Sequence, residues 1–438
     1  MLTLSHHYHN KMSFIKNIKT NTFIKSVSVL MTGTVLAQAL TYLITPVLTR
    51  IYSTEEMGEL GVYLRIVGFV AALATMRYEL TLPLPKRDKH AFLLYRLSLK
   101  IAFFIILACA LTAILYLVTK SFELYESLFL LFCFLSVIFV VFINTGTNWA
   151  IRVKNFKRIS NSRISNSLFS NAFRWIFGVM SFGSLGLIAA TLIGYVVSSF
   201  SFIKEFFKIN ANKKKQISNK QTYVLAKEYK DFPLINLPHV LVDLGRDLLV
   251  AGLIILFFSK SVFGSYSHSY AILRIPLVIV GASIGQVLFS TCSEYLNKGK
   301  EIQSILKKTL ITLVGLSFIP FLFIFLYGED LFAFVFSAEW AESGYYSEIM
   351  SIWLFGNFLA SSISTIPLII GRQKEFFFLG LISSAIQIIG FGVLPLYIGN
   401  NNDAFIDILW IVSIIMTVFN VLVVFITLYY SKIQKIKF

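Results

Sequence analysis

The stretch Phe69 to His90 reads FVAALATMRYELTLPLPKRDKH, an apolar run that ends in two opposite charges, Arg77 and Glu79, and then in the basic cluster KRDKH. A long apolar run closed by Lys and Arg is the pattern of a helix that crosses a bilayer and stops at its surface. On such a helix, residues two apart point away from each other, so Arg77 and Glu79 are each expected to find a partner on another segment.

Runs of this kind recur from end to end. Charged residues make up 14% of the 438 and hydrophobic ones 56%, against about 25% charged in soluble domains. At ~20 residues per span, the chain accommodates about a dozen membrane helices and no soluble domain of useful size. The spacing predicts spans at 25–49, 57–81, 98–118, 127–150, 163–181, 185–203, 233–257, 263–290, 309–327, 345–370, 376–398 and 404–430. The expected class is therefore all-α, a polytopic membrane protein of about 12 transmembrane helices in two six-helix halves around a central cavity.

Alternate connections carry opposite charge. One set holds Lys11, Lys16, Lys19 and Lys25, then KRDKH, RVKNFKR, Lys213 to Lys215, LNKGK with KK, GRQK and the tail KIQKIK; the other keeps only Arg50, Lys120 and Lys260 as cations and holds STEE at Ser53 to Glu56, Glu123, Glu126, GED at Gly328 to Asp330, Glu339, Glu342, Glu348, Asp403 and Asp407. By the positive-inside rule the first set, and both termini, are cytoplasmic. The net charge of +17 then faces the anionic inner leaflet, so no nucleic-acid partner is expected.

The polar connection Lys204 to Phe232 divides the chain. The expected organisation is a cytoplasmic tail (1–24), a first six-helix half (25–203), a basic cytoplasmic linker (204–232), a second half (233–430) and a short cytoplasmic tail (431–438). Thr49 to Phe69 and Ser259 to Gly281 open the two halves alike, each with a short turn, a Gly, a Tyr and an Arg-Ile pair. Two like halves around a central site suit alternating access. Met12 is expected to be the natural start, since the basic amphipathic run begins there, and no cleavable signal is expected.

Thr34, Gln38, Thr41 and Thr45 fall on one face of the first span, Asn144 and Asn148 precede Trp149 on the fourth, and Asn166, Ser170, Asn171 and Arg174 line one broad side of the fifth. Such amides, hydroxyls and rings serve equally as helix-to-helix contacts or as the lining of a path for sugars or for drugs. Eight ionisable residues lie in or near spans: Arg65, Arg77, Glu79, Arg174, Asp243, Arg246, Asp247 and Arg274. Charges in the membrane face protein or water and are usually paired. Five arginines against three acids leave a positive surplus, and the guanidinium fork suits a phosphate. Asp243 and Asp247, one turn apart with Arg246 beside them, could share a proton, bind a cation, or pair with an arginine of a neighbouring helix.

No hydrolase triad, P-loop or metal-ligand cluster is present. Cys109, Cys133 and Cys292 are odd in number and lack CxxC spacing, which fits packing residues. His6, His7 and His9 sit in a polar tail and are not read as a metal site. The chain is thus expected not to be an enzyme and to need no cofactor and no metal.

LTYLITPVLTRIYSTEEMGELGVY, followed after one span by MRYELTLPLP, resembles the O-antigen flippases of the polysaccharide-transporter family, which belong to the exporter superfamily of multidrug exporters and lipid II flippases. The matching residues are Pro46, Thr49, Arg50, Tyr52, Ser53 and Gly58, with Arg77, Tyr78 and Glu79; Met57 stands where an aromatic is expected, and Tyr63 sits later than the usual tyrosine. The resemblance implies a flippase of lipopolysaccharide biosynthesis in a bacterial inner membrane. Its substrate would be an undecaprenyl-diphosphate-linked oligosaccharide, with membrane lipids as surroundings and a polysaccharide polymerase and chain-length regulator as further partners.

On that reading the diphosphate and sugar candidates are Arg77, Arg174, Arg65, Arg274, Gln38, Asn148 and Trp149, and the ion-coupling candidates are Asp243, Asp247 and Glu79. Arg77 would capture the diphosphate while Glu79 holds a neighbouring helix in register. Arg174, roughly 16 Å into its helix, would receive the headgroup near the midplane. A cation-coupled multidrug exporter is the alternative, and it would favour acidic rather than basic charge in the cavity; a membrane polymerase or ligase is a third reading.

Overall fold

The computed structural model describes residues 29, 31–119, 123–213, 218–275, 277 and 281–433. The His-rich tail, Met12, Lys25, Lys214 and Lys215 and most of KIQKIK lie outside these residues. Among the described residues every regular element is helical. Eight helices among the described residues are long and apolar enough to cross a membrane. These are α1 (Met31–Leu48), α2 (Thr54–Ala74), α3 (Asp88–Thr119), α4 (Leu124–Arg152), α6 (Gly183–Lys213), α11 (Gln303–Phe336), α14 (Gln373–Val393) with the turn α15 (Pro395–Ile398), and α16 (Asn402–Ile433). The other expected spans coincide with α5 (Phe156–Val179), α8 (Leu237–Phe257), α9 (Lys260–Leu273) with α10 (Ala282–Asn297), and α12 (Ala341–Ser362) with the turn α13 (Ile366–Ile369). A further short helix, α7 (Asn219–Glu228), lies in the basic connection.

Three expectations need correction. The span at 263–290 holds two helices, α9 ending at Leu273 and α10 starting at Ala282, with Pro276 between them outside the described residues. The loop expected from Gly328 to Tyr345 is instead mostly helix: α11 runs on to Phe336 and bends at Tyr327, whose φ of −138° is not helical. The backbone N–H of Glu329 donates there to Glu348 Oε1 at 2.9 Å, so a side chain takes up a donor freed beside the bend. Finally, α3 and α5 begin ten and seven residues earlier than the apolar runs suggest, since their first turns are polar.

The chain forms two compact units, one of residues up to Thr45 with Val67–Pro238, the other of Pro46–Ile66 with His239–Phe438. In the first, α5 packs on α6, and α4 on α6. Gly194 lies so close to Ser170, and Gly146 to Phe202, that a methyl group at either would collide. Small residues let helix backbones approach without help from the hydrophobic effect, which is weak in lipid. The outer face of α3 exposes Phe103, Phe104, Leu107, Leu111 and Leu115, as a helix against acyl chains should.

In the second unit, the core gathers Ile254, Phe263, Tyr346, Met350, Trp353 and Phe405 from α8, α9, α12 and α16. Helix α2 starts in a capping box: Ser53 N–H donates to Glu56 Oε2 at 2.8 Å, and Glu56 N–H to Ser53 Oγ at 3.3 Å. Ser259 caps α9 by accepting from Val262 N–H at 3.0 Å. These two like openings pack directly on each other. Thr54 Oγ1 lies 2.6 Å from Ser261 Oγ, and a Cβ at Gly264 would fall 1.8 Å from the Thr54 carbonyl oxygen. Trp340 Nε1 donates to the Thr49 carbonyl at 2.8 Å, tying the turn before α2 to the corner between α11 and α12.

Candidate functional site

The residues singled out from the sequence fall into two groups, one in each unit. In the first unit, the polar stripe of α1 meets α5. Thr41 Oγ1 lies 2.9 Å from Ser167 Oγ, Asn171 Nδ2 donates to Thr41 Oγ1 at 3.2 Å, and Arg163 donates to Thr34 Oγ1. Gln38 is half-buried on the same helix. On the other side of α5, Asn166 Nδ2 donates to Ser198 Oγ at 3.2 Å, and Arg174 donates to Asn171 Oδ1 at 3.3 Å and to Thr191 Oγ1 at 2.9 Å. Most of these hydroxyls and amides therefore join α5 to α1 and α6.

Arg174 is not halfway along its helix. Because α5 begins at Phe156, Arg174 lies roughly 27 Å along it and only ~8 Å from its end. On α4, Asn148 Nδ2 donates to the Asn144 carbonyl at 2.9 Å. Trp149 is buried, its ring 5.6 Å from that of Tyr95, in a core shared with Tyr78, Leu82 and Phe92.

Arg77 and Glu79 come together, against the expectation that each pairs with another segment. Helix α2 stops at Ala74, Met76 and Arg77 take left-handed φ values of 47° and 62°, and Tyr78–Thr81 forms a 3-10 turn. This reversal brings Arg77 Nη1 to 3.3 Å from Glu79 Oε1. Arg77 Nε also donates to Asn236 Oδ1 at 3.1 Å, and Tyr78 Oη to the Ala226 carbonyl at 3.0 Å, so the turn is clasped to the end of the basic connection. Glu79 is 2% exposed and Arg77 22%. Glu79 lies beyond the end of the span, and burial raises its carboxyl above the ordinary carboxylate range, against the opposing pull of Arg77.

In the second unit, Arg65 of α2, Asp247 of α8, Phe263, Tyr266 and Tyr270 of α9 and Gln387 of α14 line a small, partly open recess. Arg65 donates to the Gly61 carbonyl at 3.0 Å and to Ser267 Oγ at 3.2 Å, and its guanidinium lies 4.9 Å from the Phe263 ring centre. Arg274 lies 5.0 Å over the Tyr270 ring and donates to its hydroxyl at 3.3 Å. Arg246 forks onto Asp247 Oδ1 at 3.1 and 3.0 Å and reaches Asp243 Oδ1 at 3.6 Å. The direct partner of both acids is thus the arginine between them on α8, and Arg65 of α2 lines the same recess as Asp247. Arg65, Arg246 and Arg274 outnumber Asp243 and Asp247, so this cluster keeps a positive surplus of one.

Tyr266, Tyr270, Phe263 and Gln387 were not among the sequence candidates. A signal existed: Tyr266, Tyr270 and Arg274 are spaced by four, which places them on one helical face. No group of three or more His, Cys, Asp and Glu positioned to hold a metal ion occurs among the described residues.

A family model described as polysaccharide biosynthesis protein matches residues 47–344. Comparison with curated proteins gives no match. Among solved structures, the chain is similar to an inward-facing multidrug resistance MATE family transporter of the MOP superfamily (TM-score 0.68, 14% identity, 91% of this chain and 96% of that one). It is also similar to the lipid II flippase MurJ in an inward closed conformation (0.65, 15%, 94% and 87%) and to a MOP superfamily transporter from Pyrococcus furiosus (0.56, 12%, 94% and 97%). The fold is the one these membrane transporters share, and the chain belongs to the polysaccharide biosynthesis protein family.

Proposed function

We propose that this protein is a flippase that carries an undecaprenyl-diphosphate-linked O-antigen or related polysaccharide repeat unit from the cytoplasmic to the periplasmic leaflet of a bacterial inner membrane. The observation that carries the reading is the family match over residues 47–344, on a fold similar to that of a lipid II flippase. The charge around the recess supports it: there Arg65, Arg246 and Arg274 outnumber Asp243 and Asp247, and Arg174 in the first unit donates to Asn171 and Thr191. A diphosphate would be attracted to this net positive charge, whereas a cationic drug would meet repulsion.

Arg77, beside the basic connection, meets the lipid diphosphate first, and Arg174, near the far end of α5, meets it later. With the cell interior negative, outward movement of an anion is favoured by ~2.3 kcal/mol per charge per 100 mV crossed. A polysaccharide polymerase and chain-length regulator would then act on the product.

The test replaces Arg174 and measures surface polysaccharide alongside membrane-inserted protein. Arg174→Ala should abolish the polysaccharide at normal protein levels, and Arg174→Lys should restore part of it, because a point charge attracts phosphate without the bidentate fork. Normal polysaccharide with Arg174→Ala would remove the residue from the transport path. A second reading, cation-coupled multidrug export, draws on Asp247 lining an aromatic recess with Asp243 one turn away on α8. Efflux of organic cations by the purified protein in vesicles would favour it.

A further inference from the structure

The short helix α7 has no place in the transport path as described, yet its two faces are sharply different. Leu225 is buried in the core formed with Tyr78, Phe92 and Tyr95, while Tyr223 is 72% and Val224 56% exposed. At 100° per residue, Lys220, Tyr223 and Lys227 lie within about 40° of the direction opposite Leu225, and both lysines are exposed. Just beyond, Leu234 and Ile235 are 66% and 67% exposed in the segment Phe232–Asn236. The helix has ten residues, too few to cross a bilayer, and it sits between the ends of two long helices, α6 and α8. From Lys204 to Phe232 there are eight lysines against Glu205, Glu228 and Asp231.

We infer that α7 lies on the membrane surface and docks its outer face on anionic phospholipid. Tyr223, Val224, Leu234 and Ile235 enter the boundary between headgroups and acyl chains, and Lys220 and Lys227 reach the phosphates by extending their stems. Water alone would leave four large apolar side chains uncovered in one short segment. The lysine excess selects an anionic lipid surface over a neutral one. The helix is also bolted to the turn that carries Arg77 through the Tyr78 hydroxyl on the Ala226 carbonyl, and the segment Phe232–Asn236 through Arg77 on Asn236. Docking on lipid therefore holds that turn at a set depth. The inference does not depend on which substrate is carried.

The test uses the full chain in vesicles of phosphatidylcholine with and without phosphatidylglycerol. In a Cys109→Ser background, where Cys133 and Cys292 are buried, Tyr223→Cys is labelled with a polarity-sensitive fluorophore. Phosphatidylglycerol should shift its emission to the blue and expose it to nitroxide-labelled lipid, and high salt should reverse the change. Adding Lys220→Gln and Lys227→Gln should weaken the phosphatidylglycerol titration by roughly fivefold per lysine. The same label at Thr222, on the inner side, reports whether α7 remains folded on its core. Emission at position 223 that ignores phosphatidylglycerol and stays open to aqueous iodide, with position 222 unchanged, would overturn the inference and leave the face to water or a protein.

Discussion

Replacing Arg77 and Glu79 separately should expose an asymmetry that follows from their burial. Glu79 is 2% exposed and Arg77 22%, so only the arginine retains water when its partner is lost. Arg77→Ala leaves a buried carboxyl without its countercharge and removes the bond to Asn236; removing one partner of a buried pair costs ~3–5 kcal/mol, and partial exposure puts this pair near ~3. Glu79→Gln keeps the shape and leaves Arg77 bonded to Asn236, so ~1 kcal/mol is expected. Combining the two should be less damaging than Arg77→Ala alone, because a neutral Gln needs no countercharge. Arg77→Gly should be about 1 kcal/mol more stable than Arg77→Ala, since φ is 62° there.

The carboxyl's raised range in the folded state means that folding takes up a proton, so stability falls as pH climbs from the ordinary carboxylate range through the raised one. Arg77→Ala should steepen that loss, and the added Glu79→Gln should remove it. Thermal unfolding of the purified protein in detergent at pH 5 and pH 8 measures all four variants. Equal, additive and pH-independent losses would refute the pairing as the source of stability.

Three further outcomes are expected. A reporter fused after Lys215 should be cytoplasmic and one inserted near Glu342 periplasmic; reversed labelling would invert the topology. Flipping by an Asp243→Asn, Asp247→Asn double variant should lose any dependence on a proton or sodium gradient, and an unchanged dependence would take these acids out of coupling. Gly264→Ala should cost at least the ~1–3 kcal/mol of an overpacked core, because its methyl would fall 1.8 Å from the Thr54 carbonyl oxygen; a melting temperature equal to that of the parent would contradict the close crossing.

Span lengths are legible in the sequence because lipid demands about 20 apolar residues whatever the neighbours are. Charge pairing at Arg77 is not, because the reversal rests on left-handed Met76 and Arg77, where neither glycine nor asparagine announces it. Thr34, Gln38 and Thr41 declare a shared face by their spacing, but a hydroxyl reads the same whether it meets a helix or a sugar. Arg174 was placed too shallow for a related reason: the start of α5, FKRISNSR, is too polar to look like part of a span. The Asp243 and Arg246 pair was within reach, since residues three apart on a helix are neighbours, whereas the fork of Arg246 onto adjacent Asp247 was not.

The crossing of α2 and α9 has a mechanical consequence. With Gly58 against the Lys260 carbonyl and Gly264 against that of Thr54, a slip of one residue would drive Met57, Glu59, Phe263 or Ser265 into a gap that admits no side chain. The two helix starts cannot shear along each other. They work as a locked gear tooth, so whatever strokes the protein makes, this pair travels as one piece and the bending falls on segments beyond it.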